Sequence, residues 1–112
     1  MRIERVVENL LDNAVSFNPP EMPIEVKVET LGSDVILTVC DHGPGIPEDA
    51  REKVFLRFHS VRPSDEDFGN HSGLGLAIAR AISEAHGGSL HAEERSDGAT
   101  GACMKLILPR AE

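Results

Sequence analysis

The sequence predicts an α/β two-layer sandwich, in which a mixed and mostly antiparallel sheet packs against helices. Three observations predict it. Two long stretches carry apolar residues at helical spacing, four short stretches read as strands, and those strands come in pairs joined by turn residues rather than alternating singly with helices. At 112 residues with 40% hydrophobic content, the chain has material for one compact domain, residues 1–112, around one core.

The first helix starts at Ile3, with Val6, Val7, Leu10, Leu11, Ala14 and Val15 at helical spacing, and Pro19 and Pro20 end it. Ile24, Val26 and Val28 alternate with Glu25, Lys27 and Glu29, which predicts a strand buried on one face. A Gly32-Ser33 turn leads to the nearly all-apolar run Val35 to Cys40, expected as a more central strand ending at Asp41. Residues His42 to Pro47 hold two glycines and two prolines, and a short amphipathic helix is expected over about Glu48 to Val54. Residues 56–72 are charged and aperiodic, with few apolar anchors, which predicts a loop. Gly73 opens the second helix, with Leu74, Ala77, Ile78, Ala81, Ile82 and Ala85 inward and Gly87 as its stop. Strands near Ser89 to Glu94 and Cys103 to Leu108 flank a Ser96-Asp97-Gly98 turn.

Composition narrows the function. A net charge of −8, spread along the chain, argues against nucleic acid and against direct contact with an anionic membrane. No apolar run approaches the roughly 20 residues that span a bilayer, so a cytoplasmic location is expected. Cys40 and Cys103 lie far apart in apolar runs and read as buried free thiols, which suits a reducing compartment.

Four clusters carry chemistry. Asn9 and Asn13, four apart, share one helical face, where two amides can point at one ligand or can simply be exposed or capping. In Asp41-His42-Gly43-Pro44-Gly45-Ile46-Pro47 a carboxylate ends a buried strand beside glycines that admit a flat ligand, although a capped turn would look the same. An acceptor at Asp41 could take the exocyclic amine of adenine. Ser72-Gly73-Leu74-Gly75-Leu76 opens a helix whose free N–H groups and dipole favour phosphate. Finally, Phe55-Leu56-Arg57-Phe58 places a cation between aromatic residues that would otherwise be ordinary core contacts. A parallel strand running straight into a glycine loop and helix is missing, as is Gly-Lys-Ser/Thr, which disfavours P-loop enzymes and eukaryotic-type kinases.

Taken in order, these clusters resemble the ATPase domain shared by histidine kinases, gyrase, the large heat-shock chaperones and mismatch-repair ATPases, the Bergerat fold. Asn9-Leu10-Leu11-Asp12-Asn13-Ala14 is similar to that family's N box, Asp41 to Gly45 to its first glycine box, Phe55 to Phe58 to its F box and Gly73 to Leu76 to its second glycine box. Glu84-Ala85-His86-Gly87-Gly88 resembles the histidine-kinase branch. The resemblance implies ATP and Mg²⁺ as cofactors. Asn13 would ligate Mg²⁺ with Asn9 beside the metal and triphosphate, and Asp41 would read adenine. Gly43, Gly45 and Ile46 would line the base and sugar. Residues 56–72 would form a lid carrying Arg57 and Arg62 and hinged at Phe55 and Phe58. The stretch Ser72, Gly73, Leu74, Gly75 and Leu76 would hold the phosphates.

The hydrolytic relatives carry a glutamate one helical turn before the Mg²⁺ asparagine. Here Asn9 stands at that place and has no useful basicity, which favours phosphoryl transfer over hydrolysis. The implied partners are a helical dimerisation and histidine phosphotransfer domain and, indirectly, a response regulator. Two departures from the pattern are Ser16, where many such kinases have Lys or Arg, and His71, where the second glycine box usually has another glycine. None of the five histidines reads as the phosphoacceptor, and the chain is expected to be a fragment of a longer, membrane-bound sensor kinase. An anti-sigma-type serine kinase and a degenerate nucleotide-binding module remain as alternatives.

Overall fold

The computed structural model describes residues 3–56 and 75–109. The elements are α1 (Ile3–Phe17), β1 (Glu25–Leu31), β2 (Asp34–Cys40), two 3-10 turns (Glu48–Ala50 and Lys53–Phe55), α2 (Gly75–Ala85), β3 (Ser89–Glu94) and β4 (Ala102–Pro109). The strands form one sheet in the order β1-β2-β4-β3, and each of the three pairings is antiparallel. The predicted amphipathic helix after Pro47 is thus two separate 3-10 turns, in which Ala50, Val54 and Phe55 are the buried residues. Tight single turns suffice to seat three side chains in the core where a regular helix would run past it.

Both hairpins are local, and each turns at a glycine, Gly32 and Gly98. The two hairpins meet along β2 and β4, in a register that sets Val39 opposite Met104 and Leu37 opposite Leu106. The helices cover this sheet, and one apolar cluster joins Val6, Leu10 and Ala14 of α1, Ala79 and Ile82 of α2, and Val39, Leu90, Met104 and Leu106 of the strands. The last turn of α1 closes with the Asn18 N–H on the carbonyl of Ala14, and Pro19 follows. α2 ends as expected at Gly87: Gly88 N–H returns to Ser83 O, and the His86 ring donates Nδ1–H to Ile82 O at 2.9 Å, a capping role.

Further sequence expectations are corrected. Val26 and Val28 are 54% and 64% exposed, and β1 is open along its whole length rather than buried on one face. As an edge strand it pairs with β2 alone, and alternation specifies two faces without specifying that either one is covered. On α1, Val15 faces solvent. On α2 the buried stripe runs through Ala79, Ile82 and Ser83, while Ala81 and Ala85 are exposed. Ser83 can be buried because its hydroxyl donates to Ala79 O at 2.8 Å, which removes the cost of desolvating an unpaired polar group.

The last correction concerns the cysteines. Cys40 and Cys103 face each other across β2 and β4, with Cα atoms 4.0 Å apart, and form a disulfide. Strand register erases a separation of 63 residues. The free-thiol argument for a reducing compartment falls with this finding.

Candidate nucleotide-binding site

The site grows from the end of β2. Asp41 continues the β2–β4 ladder by donating its N–H to Ala102 O at 2.9 Å, and its carboxylate Oδ1 accepts in return from the N–H groups of Ala102 (3.2 Å) and Gly43 (2.9 Å). The carboxylate is therefore held in place by backbone on two sides, and the residue is 2% exposed. On its other flank lies Gly101, with φ +141°, where any Cβ would stand 2.0 Å from the Asp41 carbonyl oxygen. Only glycine allows β4 to begin that close.

The turn after Asp41 is tied to the end of α1. Asn18 Oδ1 accepts from His42 N–H at 2.7 Å, and its Nδ2 donates to Pro19 O and Met22 O. His42 Nδ1 lies 2.9 Å from Pro23 O. A Cβ at Gly43 would come within 2.5 Å of the Phe17 carbonyl oxygen, so this glycine is needed by packing inside the protein. Asn13 stands one helical turn before Phe17 on the same helix, half-buried and with no hydrogen-bond partner among the described residues. One further turn back, Asn9 donates Nδ2–H to Gly75 O, 3.0 Å away at the start of α2.

The structure thus gathers Asp41, Gly43 and Gly45 in one turn beside α1, and joins Asn9 to Gly75. Ile46 and Phe55, expected beside the ligand, sit in the apolar core at 7% and 5% exposure, and the Arg80 guanidinium lies over the Phe55 ring at 4.6 Å. Leu76 packs half-buried against the same core. Arg57, Phe58, Arg62, Ser72, Gly73 and Leu74, and the lid expected over residues 56–72 beyond Leu56, lie outside the described residues.

Sequence reasoning missed Arg95. It is buried behind Asp41, donating Nη1–H to the Asp41 carbonyl at 3.2 Å, Nε–H to Asp97 Oδ1 at 3.0 Å and Nη2–H to Asp97 Oδ2 at 2.6 Å. Nη2 is also 2.7 Å from Glu25 Oε1. The hydrogen bond from Arg95 brings the Asp97 carboxyl down to about 2, with help from the Ala99 N–H. Arg95 itself is held charged more firmly than usual by the Asp97 bond, against the opposing effect of burial. An arginine at the end of a strand otherwise reads as a solvated side chain, and only the Asp97-Gly98 turn two residues on hinted at a partner.

The sequence matches, over residues 1–112, the family described as histidine kinase-, DNA gyrase B-, and HSP90-like ATPases. The chain belongs to this family. Within it, the chain is 45% identical to the sensor protein ChvG of Agrobacterium fabrum, an alignment that covers all of this chain and 20% of that relative. The chain therefore spans about a fifth of the length of that sensor protein. The fold superposes on a mycobacterial sensor histidine kinase, MprB, with a TM-score of 0.82 at 34% identity, covering 96% of this chain and 70% of that one. It also superposes on the histidine kinase ThkA solved in complex with the response regulator protein TrrA, with a TM-score of 0.78 at 30% identity, covering 98% of this chain and 29% of that one. This ATPase domain therefore has the fold of sensor-kinase catalytic domains, with its sheet wholly antiparallel among the described residues.

Proposed function

We propose that this chain is the ATP-binding catalytic domain of a longer sensor histidine kinase, and that it presents the γ-phosphate of ATP·Mg²⁺ to a histidine on a separate helical dimerisation domain. The phosphoryl group would pass from there to a response regulator, as the pairing of ThkA with TrrA suggests. The observation that carries this reading is the Asn9–Gly75 bond, which unites the asparagine helix with the start of α2. Where the hydrolytic relatives carry a glutamate, residue 9 offers an amide with no useful basicity. A site that binds ATP without such a base favours transfer to a presented acceptor.

In this reading Asp41 accepts from the adenine amine while Gly43 and Gly45 keep the turn close to base and sugar. Asn13 suits Mg²⁺, because a half-buried amide oxygen with no partner among the described residues can join phosphate oxygens and waters around a hard cation. Mg²⁺ when bound would neutralise phosphate charge, which an acidic chain cannot do for itself. Asn9 orients beside it, the backbone from Ser72 to Leu76 holds phosphate, and residues 56–72 act as the lid, with Arg57 and Arg62 as its cations. In this reading the acceptor comes from outside: among the described residues, His86 and His42 are engaged with backbone carbonyls, and His91 sits half-buried on β3. A cytoplasmic location follows from the supply of ATP.

Labelled ATP·Mg²⁺ offered to the chain with candidate helical domains tests this directly. The expected product is acid-labile and base-stable, and the chain alone neither labels itself nor hydrolyses ATP quickly. An acid-stable phosphoserine would move the protein to the serine-kinase alternative, and ATP binding without any transfer would leave a nucleotide-binding module.

A further inference from the structure

Arg95 and Asp41 are the buried charged residues among those described, and they touch. We propose that Arg95 is a positioning residue for base recognition, holding the peptide on which the Asp41 carboxylate is mounted. This rests on the reading of Asp41 as the group that meets adenine.

The Asp41–His42 peptide is gripped at both ends. Arg95 Nη1 donates to its carbonyl, and its N–H, which belongs to His42, donates to Asn18 Oδ1 at 2.7 Å. Peptide planarity makes these two bonds fix one rigid unit, and with it the direction in which Cα of Asp41 projects its side chain. Arg95 in turn cannot swing. Its fork is bidentate on Asp97, whose Oδ1 is anchored by Ala99 N–H at 3.1 Å, and Nη2 reaches Glu25, which pairs with Cys40 in the register immediately before Asp41. The guanidinium side chain is 5% exposed, whereas the carboxylates of Glu25 and Asp97 are 52% and 53% exposed.

Stability alone is a weak reason for this arrangement. Burying a charge is costly, and an apolar side chain of similar volume often serves the fold equally well. What an apolar residue cannot supply is a directional bond onto one carbonyl oxygen. Hydrogen-bond strength falls steeply with misalignment, so an acceptor that must meet an exocyclic amine gains from a fixed mount.

The test compares ATP with GTP, since guanine presents a carbonyl oxygen where adenine has its amine while the triphosphate and Mg²⁺ contacts stay the same. Isothermal calorimetry on the full chain with Mg²⁺ is expected to show that Arg95→Met lowers the ATP-over-GTP preference by about tenfold, the size of one well-made hydrogen bond. Arg95→Lys, which keeps a cationic donor but not the planar fork, should recover part of that preference. Thermal unfolding is measured alongside, and if Arg95→Met does not fold, Asp97→Asn replaces it, loosening the fork while leaving the guanidinium.

Equal loss on ATP and GTP, or an unchanged preference, would overturn the inference by reducing Arg95 to a fold-stabilising residue. Asp41→Asn separates the two layers of the argument. Preference lost in Asp41→Asn and kept in Arg95→Met sinks the positioning role alone; preference kept in Asp41→Asn sinks the base-reading role and the inference with it.

Discussion

Asn9 on α1 reaches across to α2 and donates its side-chain amide to the carbonyl of Gly75 at 3.0 Å. Two segments that lie 66 residues apart in the chain are thereby joined beside the proposed triphosphate site. The bond uses the nitrogen of the amide, so the residue orders the start of α2 through Nδ2 while Oδ1 accepts no hydrogen bond from the described residues.

Asn9→Ala should therefore weaken ATP·Mg²⁺ binding by about 0.5–1.5 kcal/mol, the net worth of a typical hydrogen bond. Glu8→Ala, an exposed neighbour on the same helix, serves as the control and is expected to change nothing measurable. Calorimetry that found the two variants alike would remove Asn9 from the site.

Asn13→Ala is expected to abolish the Mg²⁺ dependence of ATP affinity with little effect on the fold. Its side chain is half-buried at the edge of the α1 stripe and has no hydrogen-bond partner among the described residues, so truncation strands no buried group. Titrations with and without Mg²⁺ check this; a variant that retains the full Mg²⁺ effect would place the ion elsewhere.

Reduction of the Cys40–Cys103 bridge should destabilise the chain by about 2–4 kcal/mol, because a cross-link closing a long loop restricts the unfolded ensemble. The separation of 63 residues favours the upper part of that range. Urea midpoints with and without dithiothreitol, and for Cys40→Ser, measure the effect. Coincident curves would mean that the bridge contributes nothing.

Acid unfolding reports on Arg95 and Asp97. Because the folded Asp97 carboxyl lies at about 2, below its value of about 3.9 in an unfolded chain, its contribution is fully present above the higher value and is lost as pH falls through the lower. Denaturation midpoints for wild type and Asp97→Asn should thus converge between about pH 4 and pH 2, with the wild type falling more steeply. Parallel profiles would show that the pair contributes no pH-linked stability.

The hairpins and both helices were legible because their signals are local: Gly32 and Gly98 mark turns, Pro19 stops α1 and Gly87 stops α2. What escaped depends on partners distant in sequence. The alternation in β1 says nothing about whether a second layer lies over it, and Val26 and Val28 turned out exposed. In α2, alanines on several faces blur the apolar stripe, so the burial of Ser83 rests on a hydrogen bond that no pattern announces. Cys40 and Cys103 meet only through the β2–β4 register. The candidate site was read from motifs whose order is visible in the sequence, whereas Arg95, Asn18 and Gly101 become relevant only once Asp41 has a place in space.

The order β1-β2-β4-β3 also has a kinetic side. Each hairpin can zip by itself in microseconds, since its strands are neighbours along the chain. The central seam, β2 against β4, must instead bring together residues such as Cys40 and Cys103 and pay the entropy of closing everything between them. Contact order makes that seam the expected late step in folding, and the same seam completes the turn after Asp41, because Asp41 meets its Ala102 partners only when the two hairpins have docked. Until the two hairpins dock, the open flanks of β2 and β4 are unpaired strand edges, so a chain that folds slowly is exposed to edge-to-edge association along the same line that carries the candidate site.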